Sequence, residues 1–514
     1  MFARSIYRLV IEKSYFPKVK SVTDELRKSG ILRIILGLIM FVRFFEITFD
    51  YSLFYGYNSW FCVANLILII LFTVGFSVPL VTALLLFFVR FNDAVANTST
   101  LGTTILMQTL FVFLLMNSGQ YFSVDNILLK RQYFLSRFLR FQYNIIGKHT
   151  TSSLTFVYFF AFFVYGLISF GALLMHVQDY FWINGLTVKS LLSNSYLSLY
   201  YNEFRWFETN FPNISSVFSI VVGILQSIFQ FFMIFLVFSK IGTFFVKWWG
   251  MQFFLISLFV INLSYLPHVE IILWLLILFP SLTIKRNVNT SKIAKYEYNN
   301  AKENAQPKLN TKLLKTFYSS YSVLLVILVF TYFPFISKYT SNFLGDKSKY
   351  VRLALYRSGL EVPSVFNVKD LSMGDHWMVL YRKEKNANDW ELVPITSESG
   401  ERLTYNGNNI FIFSNHNSDF LYFGTTLLYR RNVLYVKDYK TFHEEGVGYH
   451  SLTKRIAYDY KKERLKGVYH YKITVYKSES SKVTHHIEDF YRHEKHVVYY
   501  KELTYDGLNF IIDK

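Results

Sequence analysis

Between Ile31 and Thr283 the chain is a succession of apolar runs, and no other feature constrains its fold as much. A helix of roughly 20 apolar residues matches the hydrocarbon thickness of a bilayer, and in lipid each spanning element must satisfy its own backbone hydrogen bonds. The runs lie at 31–49, 59–77, 79–95, 102–122, 152–176, 214–238, 245–265 and 268–284, with a ninth at 314–337. The third and eighth are short, which predicts incomplete spans or a locally thinned bilayer. Hydrophobic residues make up 52% of the chain and charged residues 17%, against about 25% charged in a soluble domain. That deficit is local, because 345–514 has ordinary globular composition. The sequence therefore predicts an all-α polytopic membrane bundle (8–9 transmembrane helices) plus a C-terminal soluble α+β domain with an antiparallel sheet.

Loop charge orients the bundle. Arg4, Arg8, Lys13, Lys18, Lys20, Arg27 and Lys28 precede the first run; Lys130, Arg131, Arg137, Arg140 and Lys148 follow the fourth. Lys240 and Lys247 flank the gap between the sixth and seventh, and 285–312 carries a further cluster of lysines. The alternate loops, 50–58, 96–101 and 178–213, have almost no Lys or Arg. The positive-inside rule then places the N-terminus in the cytoplasm and the tail outside. The expected order is a cytoplasmic amphipathic segment (1–30), the bundle (31–284), a cytoplasmic linker (285–312), a ninth span (313–338) and an extracytoplasmic domain (345–514). The net charge of +19 follows from these loops, so the partner they imply is the lipid bilayer and not nucleic acid.

Finer features fit this frame. Residues 124–149 interleave basic and aromatic side chains, as a helix lying in the cytoplasmic interface does. The outer segment 178–213 is rich in Tyr, Trp and Phe. No cleavable signal-peptide pattern is read in the first thirty residues. In the tail, 410–413, 421–423, 433–436, 471–476 and 497–500 read as strands, and 446–465 as a helix between glycines. Cys62 is the single cysteine, so no intrachain disulfide or multi-thiolate site is expected. His485, His486, His493 and His496 lack the spacing of a ligand set, and no metal site is expected.

Ionisable groups inside apolar runs cost roughly 2.5–3.5 kcal/mol each on insertion scales and need a reason. Arg33, Arg43, Glu46, Arg90 and Asp93 qualify. Arg43 with Glu46, and Arg90 with Asp93, are three apart, the spacing of an ion pair on one helix face. The alternative is a substrate-facing site. The polar stretch 91–102 lies beside the third run and offers Asn92, Asp93 and Asn97 to a carboxylate or peptide backbone, or serves as an ordinary loop.

Several stretches resemble one family. Tyr121-Phe122-Ser123-Val124-Asp125-Asn126-Ile127-Leu128-Leu129 resembles the signature after the fourth span of the vitamin K-dependent γ-carboxylases and the related bacterial HTTM (horizontally transferred transmembrane) proteins. Gly30 to Gly37, with Arg33, resembles the family's opening helix; Asn97 to Gly102 resembles its outer loop. Val157 to Ala161 resembles a family helix, with Phe162 in place of a glycine, and Trp182-Ile183-Asn184-Gly185 resembles a turn. His376-Trp377-Met378 resembles the opening of the family's extracytoplasmic tails.

The resemblance implies a bacterial plasma (inner) membrane protein and, by likeness alone, a quinone-like lipid as cofactor; the residues themselves leave the cofactor unknown. One departure bears on chemistry. In the carboxylases the helix that Val157–Ala161 resembles continues into a pair of lysines, one of which is the catalytic base, and here no lysine occurs between Tyr158 and Lys189. The expectation is therefore a protein that binds, exports or matures a peptide or protein at the outer face, without glutamate γ-carboxylation. Asn92, Asp93, Asn97, Tyr158, Trp182 and Asn184 are the expected pocket, with Arg33 and Asp125 as inner anchors. The rivals are a carboxylase-like enzyme with a divergent base, such as Asp93, Glu46 or a water, and a non-enzymatic envelope subunit.

Overall fold

The structure is a computed structural model. It describes residues 13–280, except 56–59, 97–100, 131–133, 148, 178, 194–197, 262 and 264, and in the tail 376–393, 397–399, 456–457, 460, 463–478, 494–508 and 510–511. The expected linker, ninth span, the strands at 410–413, 421–423 and 433–436, and most of the helix at 446–465 lie outside these residues.

Every apolar run from 31 to 284 contains a helix. They are α1 (Val22–Tyr55), α2 (Trp60–Val74), α3 (Val78–Ala96) and α4 (Leu101–Leu115), then two short basic-loop helices, α5 (Val124–Leu129) and α6 (Phe134–Ile146). After them come α7 (Thr151–His176), the short helices α8 (Tyr180–Ile183), α9 (Thr187–Leu192) and α10 (Tyr201–Asn210), and finally α11 (Pro212–Leu236), α12 (Lys240–Val260) and α13 (Leu266–Leu278). Among the described residues, three helices are long and apolar enough to cross a membrane, over Thr151–Leu174, Pro212–Leu236 and Lys240–Val260. Four shorter apolar helices accompany them, over Trp60–Val74, Val78–Arg90, Gly102–Leu115 and Leu266–Leu278.

Burial separates these helices. The apolar window of α7 is 78% buried, against 28% for α11 and for α12. α7 is thus a central helix, and the other two present long rows of Ile, Val and Phe outward, among them Ile224, Phe235 and Phe244. Helices that expose apolar side chains on this scale need a solvent as apolar as themselves.

α1 begins nine residues before the apolar run that announces it. Ser21 Oγ accepts the Asp24 N–H at 3.3 Å, and Asp24 and Glu25 lie in the first turn, where the helix dipole favours negative charge. The N-terminal segment that precedes α1 is held too: the Val19 N–H donates to Thr155 Oγ1 at 3.0 Å, and Phe16 packs edge-on against Phe159. Residues 22–30, expected in a separate segment, therefore belong to the bundle.

A joint closes the end at which α1 begins. The Arg33 guanidinium donates to the carbonyls of Phe72, Thr73 (3.2 Å) and Phe122 (2.6 Å), tying α1 to the α2–α3 turn and the start of α5. Gly75 takes φ +76° there, and a Cβ on it would collide with Arg33 and Ser123. Asp125 accepts the N–H groups of Ser77 (2.6 Å) and Val78 (2.9 Å) at the head of α3, and the Tyr143 hydroxyl at 2.7 Å. A carboxylate on the free N–H groups of a helix start is favourable on both hydrogen-bonding and dipole grounds. Burial raises the Asp125 carboxyl above its ordinary range, opposed by those three hydrogen bonds and by Arg33. It also raises the Tyr143 phenol, beside the Asp125 charge.

The tail contains a small antiparallel sheet of five strands in the order β2-β1-β3-β4-β5. These are β1 (His376–Glu384), β2 (Glu391–Leu392), β3 (Tyr469–Ser478), β4 (Lys495–Tyr505) and β5 (Phe510–Ile511). β3 and β4 coincide with two of the expected strands. Leu380, Tyr471, Ile473, Leu503 and Tyr505 form the core of one face and pack on Ile456, Ala457 and Tyr460.

Candidate functional site

The candidate site is a line of buried polar groups along α7, a helix whose other side chains are mostly apolar. Tyr158 and Tyr165 are seven residues apart, close to two turns, so both lie on one face with a separation of about 10 Å along the axis. Each phenol reaches a carboxyl on a different neighbouring helix.

The first station lies where α1 begins. The Tyr158 hydroxyl donates to Glu25 Oε2 at 2.6 Å, and Lys28 Nζ bridges to the same oxygen at 2.6 Å. Lys28 Nζ also donates to the carbonyls of Leu276 (3.0 Å) and Phe279 (3.2 Å) at the end of α13. The last carbonyls of a helix have no partners within it and carry partial negative charge, so a buried ammonium is well placed there. Glu25, Lys28 and Tyr158 thus fasten α1, α7 and α13 together.

The second station lies inside the bundle. The Tyr165 hydroxyl donates to Glu270 Oε1 at 2.8 Å, and both residues are buried. Trp274, one turn further along α13, supplies the walls. Its ring meets Tyr165 edge-on at 5.3 Å and Phe254 edge-on at 5.2 Å, with Phe229 at 6.0 Å and Phe162 at 6.2 Å. Its Nε1–H donates to the Lys247 carbonyl at 3.1 Å. Gly250 makes room for that ring, since a Cβ there would come within 2.6 Å of it.

A third station lies where α13 starts. The Arg43 guanidinium sits over the Tyr265 ring, 5.1 Å from its centroid, and the Tyr265 hydroxyl pairs with Thr103 Oγ1 at 2.9 Å.

The residues singled out from sequence are distributed over these places and others. Arg33, Arg43 and Arg90 are buried. Glu46, Asn92 and Asp93 lie on described helices, but their side chains fall outside the description, as does Asn97 altogether; the proposed Arg43–Glu46 and Arg90–Asp93 pairs therefore rest on sequence alone. Tyr158 is at the basic end with Glu25. Trp182 is at the opposite end of α7, where its indole stacks on His176 at 4.0 Å. Asn184 is exposed, its amide donating to the Tyr180 carbonyl at 2.8 Å. Gly185 takes φ +65° and its carbonyl accepts the Ser219 hydroxyl. Among the described residues, the structure does not bring Tyr158, Trp182 and Asn184 into one pocket. Ser123 caps α5 by accepting the Asn126 N–H at 3.0 Å; Val124 opens that helix, and Asp125 joins it to α3.

Sequence reasoning missed Glu25, Lys28, Tyr165 and Glu270. Glu270 was within reach: it is an ionisable group inside the run 268–284, and the test that found Glu46 finds it too. Glu25 and Lys28 gave no such signal, because they precede the apolar run and resemble any basic flank.

No protein-family model matches this chain, and neither a curated protein nor a solved structure does.

Proposed function

We propose that this chain is a polytopic membrane protein of the HTTM and carboxylase-like type, with eight or nine spans, a cytoplasmic N-terminus and an extracytoplasmic tail. Its work is to bind, export or mature a peptide or protein at the outer face of a bacterial plasma membrane, without γ-carboxylation. The likeness is supported by the joint: Arg33 and Ser123–Asp125, far apart in sequence, meet through the Phe122 carbonyl.

The observation that carries the functional reading is the short-helix layer between α7 and α11, at the end opposite the basic loops. It is polar in backbone support and apolar on its surface. Lys189 pairs with Glu208 at 3.5 Å and Asp179 caps α8, while Ile183 (66% exposed) and Trp206 (62% exposed) face outward. Exposed aromatic and aliphatic groups on a braced scaffold suit an extended apolar peptide segment, and they also suit the outer lipid interface.

Two measurements test this. Protease added outside intact cells is expected to cut within 345–514 and spare 285–312; the reverse pattern inverts the orientation. Comparison of secreted peptides from cells with and without the protein is expected to show one peptide lost or unprocessed. Identical secreted peptides would remove the export and maturation reading.

A second reading, a divergent carboxylase-like enzyme, is favoured by one observation: Glu270 and Tyr165 place a carboxyl and a phenol together in an apolar setting, as acid–base chemistry requires. It predicts a product heavier than its substrate by one carbon dioxide.

A further inference from the structure

Glu25 and Glu270 each accept a tyrosine hydroxyl, but their electrostatic surroundings differ. Glu25 has the Lys28 ammonium at 2.6 Å. Glu270 is buried and has the Tyr165 hydroxyl, and the Tyr165 ring lies edge-on to Trp274, with Phe254, Phe162 and Phe229 around the indole. Ser169, one turn along α7, hydrogen-bonds the same phenol.

Among the described residues, the charged and titratable side chains on the elements packed around α13 are few near this point; the side chain of Glu46 on α1 lies outside them. α7 contributes Tyr165, and α13 itself contributes His268. α12 contributes Lys247, whose ammonium lies over the Phe279 ring at 4.1 Å, at the far end of α13. α1 contributes Glu25 and Lys28 at the basic end and Arg43 over Tyr265. α4 carries no titratable side chain. Ionised, Glu270 would be a buried charge supported, among the described residues, by one neutral hydroxyl, an unfavourable state. Protonated, it is a neutral hydrogen-bonding group. α13 begins at Leu266, only four residues away, about 6 Å of helix. The route from Glu270 to that end is therefore short.

We infer that Glu270 is a proton-exchange site inside the bundle, taking up and releasing one proton with Tyr165 as its hydrogen-bonding partner. On uptake, a hydronium ion in water gives its proton to a Glu270 oxygen and leaves as water. Tyr165 keeps its own proton, and its hydroxyl changes from donor to acceptor. Release reverses both movements, and no other bond is made or broken. This inference goes beyond the peptide reading and stands without it, since it requires only that the bundle be embedded in lipid.

The test uses the full chain in native membranes and a hydrophobic carbodiimide, which reacts with protonated carboxyls buried in lipid, followed by peptide mass mapping. An adduct on Glu270 is expected, its yield falling at least about tenfold between roughly pH 5 and pH 9, while Glu25, in its ion pair with Lys28, stays unmodified. Tyr165→Phe should keep the adduct and shift its pH midpoint, which a purely packing role for the phenol would not do. Infrared difference spectra on acidification should show a new carboxylic-acid band that Glu270→Gln lacks. No Glu270 adduct at any pH, or a yield constant across that range, overturns the inference. The wild-type labelling decides it even if the Gln variant fails to fold.

Discussion

The basic end of the bundle and its interior use the same bond, a tyrosine hydroxyl on α7 given to a carboxyl, in opposite electrical settings. At the basic end, Glu25 is matched by Lys28, and Lys28 by the carbonyls of Leu276 and Phe279. Nearby, Asp125 accepts three hydrogen bonds, and Arg33 donates to three carbonyls. Charge there is balanced and fastens helices together. In the interior, Glu270 is buried with the Tyr165 hydroxyl, whose ring packs against Trp274. The difference teaches that a buried carboxyl can be a rivet or a titrating site, and its countercharge decides which.

The sharpest way to break this comparison is Glu25→Ala. It takes the carboxylate from the Lys28 ammonium and leaves it the carbonyls of Leu276 and Phe279, so a loss of about 3 kcal/mol is expected in denaturant unfolding of the detergent-solubilised protein. A loss below about 1 kcal/mol would show that Lys28 reaches water instead.

Asp125→Ala comes next. It frees two N–H groups at the start of α3 and a phenol, and about 3 kcal/mol is expected in the same assay. Asp125→Asn should recover part of it by keeping one acceptor.

Acid sharpens the contrast at the basic end. His149 follows α6, and its ring nitrogens are buried; burial pushes its pKa down from 6.5 to about 4, opposed by the Leu115 carbonyl. The unfolded chain therefore takes up a proton at higher pH than the folded one. Its contribution is present above about pH 6.5, and at most about 3 kcal/mol is lost as pH falls through about 4. The check is the unfolding midpoint of wild type and His149→Gln across that window; equal slopes would remove His149 from the balance.

Tyr165→Phe is expected to cost about 1 kcal/mol, the net worth of one hydrogen bond. Glu270→Gln is expected to cost less than about 1 kcal/mol, because a neutral amide still accepts the Tyr165 hydroxyl. If Glu270→Gln instead costs as much as Glu25→Ala, the interior carboxyl is ionised and the comparison fails.

Much of the fold was legible in the sequence. Each apolar run locates one of α1–α4, α7 and α11–α13, with ends that differ by up to nine residues, because the demand for internally satisfied backbone leaves a helix as the one local answer. Strands β3 and β4 were legible from their β-branched and aromatic content, whereas β1 was read as the opening of the tail. The start of α1 was misjudged because Ser21, Asp24 and Glu25 make a polar helix start that hydropathy does not see. Of the site, Tyr158 was named but with the wrong neighbours in mind: its partner Glu25 is 133 residues away.

The sequence by itself determined which segments are helical and apolar, where the basic loops fall, and that the chain carries ionisable groups where lipid penalises them. Only the tertiary structure decided which of those groups share a bond. Periodicity fixes the face of a helix on which a side chain lies, but the neighbour on that face comes from how helices pack. A glutamate at 2.6 Å from the Tyr158 hydroxyl and another at 2.8 Å from that of Tyr165 are facts of packing that no local pattern contains.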